Sequence, residues 1–222
     1  ELDSYEDWRL PVEKRAKDLA SKMSVEQIAG LMLYSKHQSI PAREVGFGAG
    51  TYNGKPFSES GAKASAISDQ QKQFLKDDNL RHVLLTAVKS PEVAAEWNNN
   101  VQAYVESLGL GIPANNSSDP RNTATVTSEF NAGAGGTISL WPDGLAMGAT
   151  FDPELVRQFG EIAAKEYRAL GITTALSPQI DLGTEPRWYR IAYVFSESPE
   201  KPDGKVIYPV KKPFKETGGL RL

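Results

Sequence analysis

The sequence contains no cysteine, which excludes disulfides, thiol nucleophiles and thiolate metal ligands and leaves the redox compartment open. Only two histidines occur, His37 and His82, far apart in the chain, so a histidine-built metal site is not expected. No run of about 20 apolar residues exists, so no membrane-spanning helix is expected, and no leader-peptide pattern opens the chain. The net charge of −3 argues against a general affinity for nucleic acid. The chain begins with Glu1 rather than Met, the start expected of a processed chain or a piece of a longer one. What is present is ordinary. The 222 residues, 40% hydrophobic and 24% charged, suit one large globular domain or two small ones.

Helical spacing is clear from Pro11 onward, with Val12, Arg15, Ala16, Leu19 and Met23 recurring, and residues 1–9 read as an arm lying on the body through Tyr5 and Trp8. Ser24 and Gln27 form a capping-box pattern for a second helix, Val25 to about Ser35, with an apolar surface from Ile28, Leu31, Met32 and Tyr34. Residues 36–67 lack periodicity and read as a long loop. Gly46 to Gly50 has neither the preceding strand nor the following helix of a dinucleotide fingerprint. Ser68 and Gln71 repeat the capping pattern for a helix near 69–79. His82–Val88 reads as a buried strand, Ser90 starts another helix, and Ile112-Pro113 leads an extended run to Asp119. Residues 120–137 are loop-like, and Gly133 to Gly136 opens no helix that would cradle a phosphate. Asp152-Pro153-Glu154 starts an amphipathic helix ending at Gly171, followed by a strand over 172–178. Strands alternating with helices argue for parallel βαβ architecture.

The organising stretch is Ile172 to Arg190. An apolar, β-branched run gives way to Asp181, Glu185, Arg187, Trp188, Tyr189 and Arg190, the kind of polar loop that α/β barrels place at the C-terminal ends of their strands. Several blocks then fall in order: Thr150–Val156, Glu166–Gly171, Leu176–Leu182, Glu185–Arg190 (Glu-Pro-Arg-Trp-Tyr-Arg) and Phe195–Glu200 (Phe-Ser-Glu-Ser-Pro-Glu). Together they resemble glycoside hydrolase family 3, whose best-known members are β-glucosidases, and Arg15, Leu19, Met23, Ser24, Gln27 and Leu31 are in register with that family's N-terminal segment. The resemblance covers residues 11–200. The tail, 201–222, does not share it; six basic against two acidic side chains give it a net +4 and leave −7 on residues 1–200.

The resemblance implies an α/β fold, a (β/α)8 TIM-like barrel that is incomplete in this chain; the basic tail 201–222 falls outside it, either a distant part of the chain or an unrelated extension. It implies a retaining glycosidase of β-glucosidase type, without cofactor or metal, acting on a β-linked glucoside or other small saccharide in the periplasm or outside the cell, with no nucleic-acid or membrane partner. It also implies that neither the nucleophile nor the acid lies in this chain, because the family carries them later, so no catalytic residue is assigned. The incomplete barrel would be closed by further sequence or by self-association.

Four residues are assigned to substrate binding. Asp119 resembles the family's sugar-binding Asp, since a carboxylate accepts two hydrogen bonds from adjacent hydroxyls; its place before Pro120 also suits a plain turn. The usual His-Gly pair after it is replaced by Arg121-Asn122. Arg190 closes the Pro-Arg-Trp-X-Arg motif and is the arginine implied to reach the sugar, with Tyr189 where the family has Gly. Arg187 supplies fixed donors suited to a hydroxyl or to bracing Asp181 or Glu185. Trp188, like Trp141, offers a face for a sugar ring or a body for the core. Asp181 and Glu185 read as structural rather than as an acid–nucleophile pair, and the glycosylation patterns at Asn115 and Asn116 read as chance. A non-catalytic carbohydrate-binding remnant and a scaffold protein are the alternatives.

Overall fold

The computed structural model describes residues 2–118, 137–176, 185–188 and 191. The elements are α1 (Val12–Lys22), α2 (Val25–Leu31), β1 (Tyr34–Arg43), β2 (Gly48–Ala49), α3 (Phe57–Ser60), α4 (Asp69–Lys76), β3 (His82–Val88), α5 (Pro91–Glu106), β4 (Asn115–Ser118), α6 (Gly144–Ala149), α7 (Pro153–Ala169) and β5 (Thr174–Ala175). The strands form one sheet in the order β2-β1-β3-β4-β5, every neighbouring pair parallel. Among the described residues this is a parallel α/β sheet of the kind found in part of a (β/α)8 barrel.

The helices start where their sequences demand. Ser24 and Ser68 each complete a reciprocal capping box, with Gln27 and Gln71. Ser90 and Asp152 cap α5 and α7 ahead of a proline, whose missing N–H costs nothing in a first turn. The helices then bury one face each. Ala94, Trp97, Val101 and Val105 of α5 recur at helical spacing and pack on Val83 and Leu85 of β3, with Phe74 and Leu75 of α4 and Tyr167, Leu170 and Ile172 from the α7–β5 unit closing the cluster. Each Val, Leu, Ile or Phe among them, fully buried, contributes about 1.5–3 kcal/mol. The indole N–H of Trp97 donates to Gln71 Oε1 at 3.1 Å, so the largest core side chain leaves no polar atom stranded.

Arg81 fastens the N-terminal end of the sheet. Buried, it donates to the carbonyls of Leu75 (2.6 Å), Leu80 (2.7 Å) and Ile112 (2.8 Å), tying the end of α4 and the approach to β4 to the start of β3.

Three expectations are corrected. Residues 36–67 are not one long loop: most of β1, all of β2 and α3 lie there. β1 escaped notice because its buried positions are Ser35, Gln38 and Ser39 as well as Ile40, so no apolar alternation marks it. Its polar groups are satisfied across the sheet instead: Ser35 Oγ accepts from Leu84 N–H, and the Gln38 backbone carbonyl accepts from the Thr86 hydroxyl. The second helix stops at Leu31 rather than near Ser35, because Tyr34 is already registered opposite His82. The apolar residues of that helix do not form a covered face. Val25, Ile28 and Met32 are exposed, Met32 at 79%, and only Gly30 is buried, where its bare Cα fits against Asn79. In the arm, Tyr5 does dock, its hydroxyl donating to Leu110 O at 3.1 Å, while Trp8 stays 79% exposed.

Candidate functional site

In a parallel α/β sheet, ligand-binding side chains collect where strands run out into loops. β4 and β5 are neighbours in register, Ser117 opposite Thr174 and Ser118 opposite Ala175, and Leu176 N–H donates to Ser118 O at 2.8 Å. The chain therefore leaves the sheet side by side at these two strands, and the residue after Ser118 is Asp119. Asp119, Asp181 and Arg190 lie outside the described residues, as do 120–136 and the tail 201–222.

β4 consists of Asn115, Asn116, Ser117 and Ser118, of which the last three are buried. A wholly polar buried strand stands only if each group is partnered. Ser117 and Ser118 donate to Val83 O (3.0 Å) and Leu85 O (2.8 Å) of the adjacent strand. Asn116 Nδ2 donates to Asn98 Oδ1 of α5 at 2.7 Å and to Gly171 O at 3.2 Å, while its carbonyl accepts from Thr173 N–H. Among the described residues its side-chain Oδ1 has no partner. Asn115 Oδ1 accepts from the hydroxyls of Thr173 (3.0 Å) and Thr174 (2.7 Å), and its amide meets His82 Nδ1 at 3.2 Å. Both asparagines thus lock β4 to its surroundings, and Asn116, 1% exposed, does not offer itself to a glycan.

Arg187 and Trp188 are described. The Arg187 guanidinium grips Glu185 with two parallel bonds of 2.8 Å and its own N–H adds a third at 2.9 Å. The pair is exposed, the Arg187 side chain at 88%. Hydrogen bonds from the Arg187 side chain, then from its backbone, hold the Glu185 carboxyl down to about 2. Glu185 is therefore ionised at neutral pH and unsuited to giving up a proton. Trp188 is half-buried. Trp141 is braced by protein: its indole N–H donates to Ser139 Oγ at 2.9 Å, Ser139 donates to Glu166 of α7 at 2.7 Å, and its ring meets Phe159 edge-on at 5.4 Å.

A feature the sequence reading missed stands after β2. Tyr52 and Lys55 exchange both backbone hydrogen bonds around Asn53-Gly54, whose φ values of 52° and 76° make a two-residue hairpin turn. Asp69, at the start of α4, accepts from Gly54 N–H (2.8 Å), Asn53 N–H (3.0 Å) and the Thr51 hydroxyl (2.8 Å). The Gly54 N–H leads in holding its carboxyl below the usual carboxylate range, against burial that pushes it up. The Tyr52 hydroxyl, buried, accepts from Ala42 N–H at 2.9 Å. The Asn-Gly pair was the available signal.

Among the described residues no group of three or more His, Asp or Glu stands close enough to hold a metal ion, and no helix is long and apolar enough to cross a membrane. A cavity of about 340 Å³ lined by Tyr5, Arg15, Leu19, Glu106 and Ile112 opens at the other end of the sheet, where β4 begins.

Residues 23–204 match the model of the glycosyl hydrolase family 3 N-terminal domain. A periplasmic β-glucosidase/β-xylosidase of Dickeya chrysanthemi is 41% identical over 202 residues, 90% of this chain and 28% of that protein. A probable β-glucosidase C of Aspergillus oryzae is 32% identical over 197 residues, 87% of this chain and 28% of that protein. Among solved structures, a β-glucosidase from Erythrobacter marinus superposes with a TM-score of 0.60 at 24% identity, over 89% of this chain and 22% of that one. A β-glucosidase from Listeria innocua, solved with isofagomine, gives 0.53 at 24% identity, over 86% and 21%. The chain spans less than a third of the length of these relatives.

Proposed function

This chain belongs to glycosyl hydrolase family 3, and we propose that it is the sugar-positioning portion of a β-glucosidase-type retaining glycoside hydrolase. In such an enzyme one carboxylate attacks the anomeric carbon and a second protonates the leaving oxygen. Neither is assigned here. Asp119 is read as accepting hydrogen bonds from two sugar hydroxyls and Arg190 as donating to the same ring, with Arg187 and Trp188 at its border and Arg187 also holding Glu185. Residues 1–200 form the barrel portion in this reading, and 201–222 a basic tail.

One observation carries the proposal. β4 and β5 leave the sheet as adjacent parallel strands immediately ahead of Asp119 and of the segment that ends in Arg190. A shared edge favours two side chains meeting one ring. The ligand is a β-linked glucoside or related small saccharide, and the periplasm or the exterior is the compartment, in line with the name of the Dickeya relative. The exposed apolar residues of α2, and sheet edges at β2 and β5 that carry no further strand among the described residues, suit more strands of a complete barrel or a second copy.

Titration of glucose into the 222-residue chain, followed by tryptophan fluorescence, tests this. Saturable binding that Asp119→Ala abolishes is expected. Absence of any saccharide binding would defeat it.

A further inference from the structure

The cavity of about 340 Å³ at the N-terminal end of the sheet is large enough for a small organic ligand, and none of its lining residues is among those assigned to substrate binding. One wall is the arm, at Tyr5 and Glu6. A second is α1, at Arg15 and Leu19. The third runs from Glu106, the last residue of α5, to Pro113, just ahead of β4.

These walls are tied to one another. Tyr5 N–H donates to Asp18 Oδ2 at 3.1 Å, the Tyr5 hydroxyl donates to Leu110 O at 3.1 Å, and Tyr5 O accepts from Arg15 Nε at 3.0 Å. Lys22, ion-paired with Asp3 at 2.7 Å, stands over the Tyr5 ring at 5.1 Å. On the third wall Gly109 and Gly111 hold φ values of 52° and 62°, a left-handed backbone that turns the chain around Leu110. Walls fixed before a ligand arrives lose little freedom when it binds.

Two charged groups in the cavity are unspent. Among the described residues only Nε of Arg15 donates to protein, so both NH2 groups of the guanidinium remain. Glu106 is exposed and makes no hydrogen bond or ion pair among the described residues. A donor and an acceptor that line one hollow without meeting suit a ligand that both accepts and donates. Charge narrows the class. One guanidinium against the carboxylates of Glu6 and Glu106 leaves the lining net negative, which turns away phosphate and carboxylate ligands. Leu19, Ile112 and Pro113 add apolar surface beside these groups. Hydroxyls that donate and accept, no net charge and an apolar C–H face belong together in a small saccharide. We infer that this cavity is a second, non-catalytic saccharide site, at the opposite end of the sheet from the strand exits, in which Glu106 accepts from one sugar hydroxyl and Arg15 donates to another. It does not depend on Asp119 or Arg190.

The test is an NMR titration of the isotope-labelled whole chain with glucose, followed at the amides of Gly109, Leu110 and Gly111, in the wild type and in Asp119→Ala. Saturable shifts at these amides, with the same midpoint in both chains, are expected. Glu106→Ala, at an exposed position, raises the midpoint about 10-fold, as expected for one lost hydrogen bond to a charged acceptor. Glu106→Gln, which keeps an acceptor, raises it less. Amides that glucose does not move, or a midpoint that Glu106→Ala leaves unchanged, would overturn the inference. So would shifts produced by glycine and not by glucose, which would make the cavity an amino-acid site. The fluorescence titration that tests Asp119 reads sites beside a tryptophan, and this lining holds none, so either site can fail alone.

Discussion

Gly171→Ala puts the junction between α7, β4 and β5 under a defined load. Gly171 has φ +77°, and an added Cβ would stand 2.6 Å from Asn98 Cγ and 2.7 Å from Asn98 Cβ. The left-handed backbone costs an alanine about 1–2 kcal/mol. Asn98 must also move, and it is the acceptor at 2.7 Å for Nδ2 of Asn116, which is buried; leaving such a donor proton unpaired costs about 1–3 kcal/mol more. The sum is roughly 2–5 kcal/mol. Gly46 is the control, with φ +75° and nothing within 4 Å of the added carbon, so Gly46→Ala should cost only the conformational part, about 1–2 kcal/mol. Urea unfolding of both variants, and of Gly171→Ala in an Asn98→Gly background that removes both the Cβ and the Cγ the added carbon meets, separates the contributions. Once Asn98 is truncated, the further loss from Gly171→Ala should fall to that of Gly46→Ala. If the two glycine variants cost the same in the wild-type background, Asn98 and Asn116 do not brace the junction and the reasoning fails.

Arg81→Met strands three carbonyls and should destabilise by about 3 kcal/mol or more, read from a denaturant midpoint, with loss under 1 kcal/mol arguing against the Arg81 tie. Asp69 has a lowered carboxyl in the folded chain, so its contribution is full above the ordinary carboxylate value and disappears as pH falls through the lowered one. Protection factors at Asn53 and Gly54, with the intrinsic pH dependence of exchange divided out, should accordingly fall only below about pH 4, and protection already lost near neutrality contradicts the Asp69 pin. Purified and alone, the 222-residue chain should not hydrolyse an aryl β-glucoside, and robust turnover in a chromogenic assay refutes the assignment of nucleophile and acid elsewhere.

Much of the fold is legible in the chain because the signals are local. Ser24, Ser68, Ser90 and Asp152 announce their helices, and the apolar run at His82–Val88 announces β3. β1 is not legible, since its burial rests on Ser35, Gln38 and Ser39 making bonds to a strand more than forty residues away. The Asn53-Gly54 turn is legible as an Asn-Gly pair, though the stretch around it lacks periodicity. The outward apolar residues of α2 show the limit of periodicity, which marks an apolar surface and is silent on what covers it. For the candidate site, the motif around Arg187 was readable, but its grip on Glu185 depends on geometry.

The most direct measurement is a crystal structure of this chain grown with glucose. The account predicts one pyranose at the edge where β4 and β5 run out, within hydrogen-bonding distance of both Asp119 and Arg190. Those two side chains on opposite sides of the molecule, or packed in a core with no opening, would contradict it.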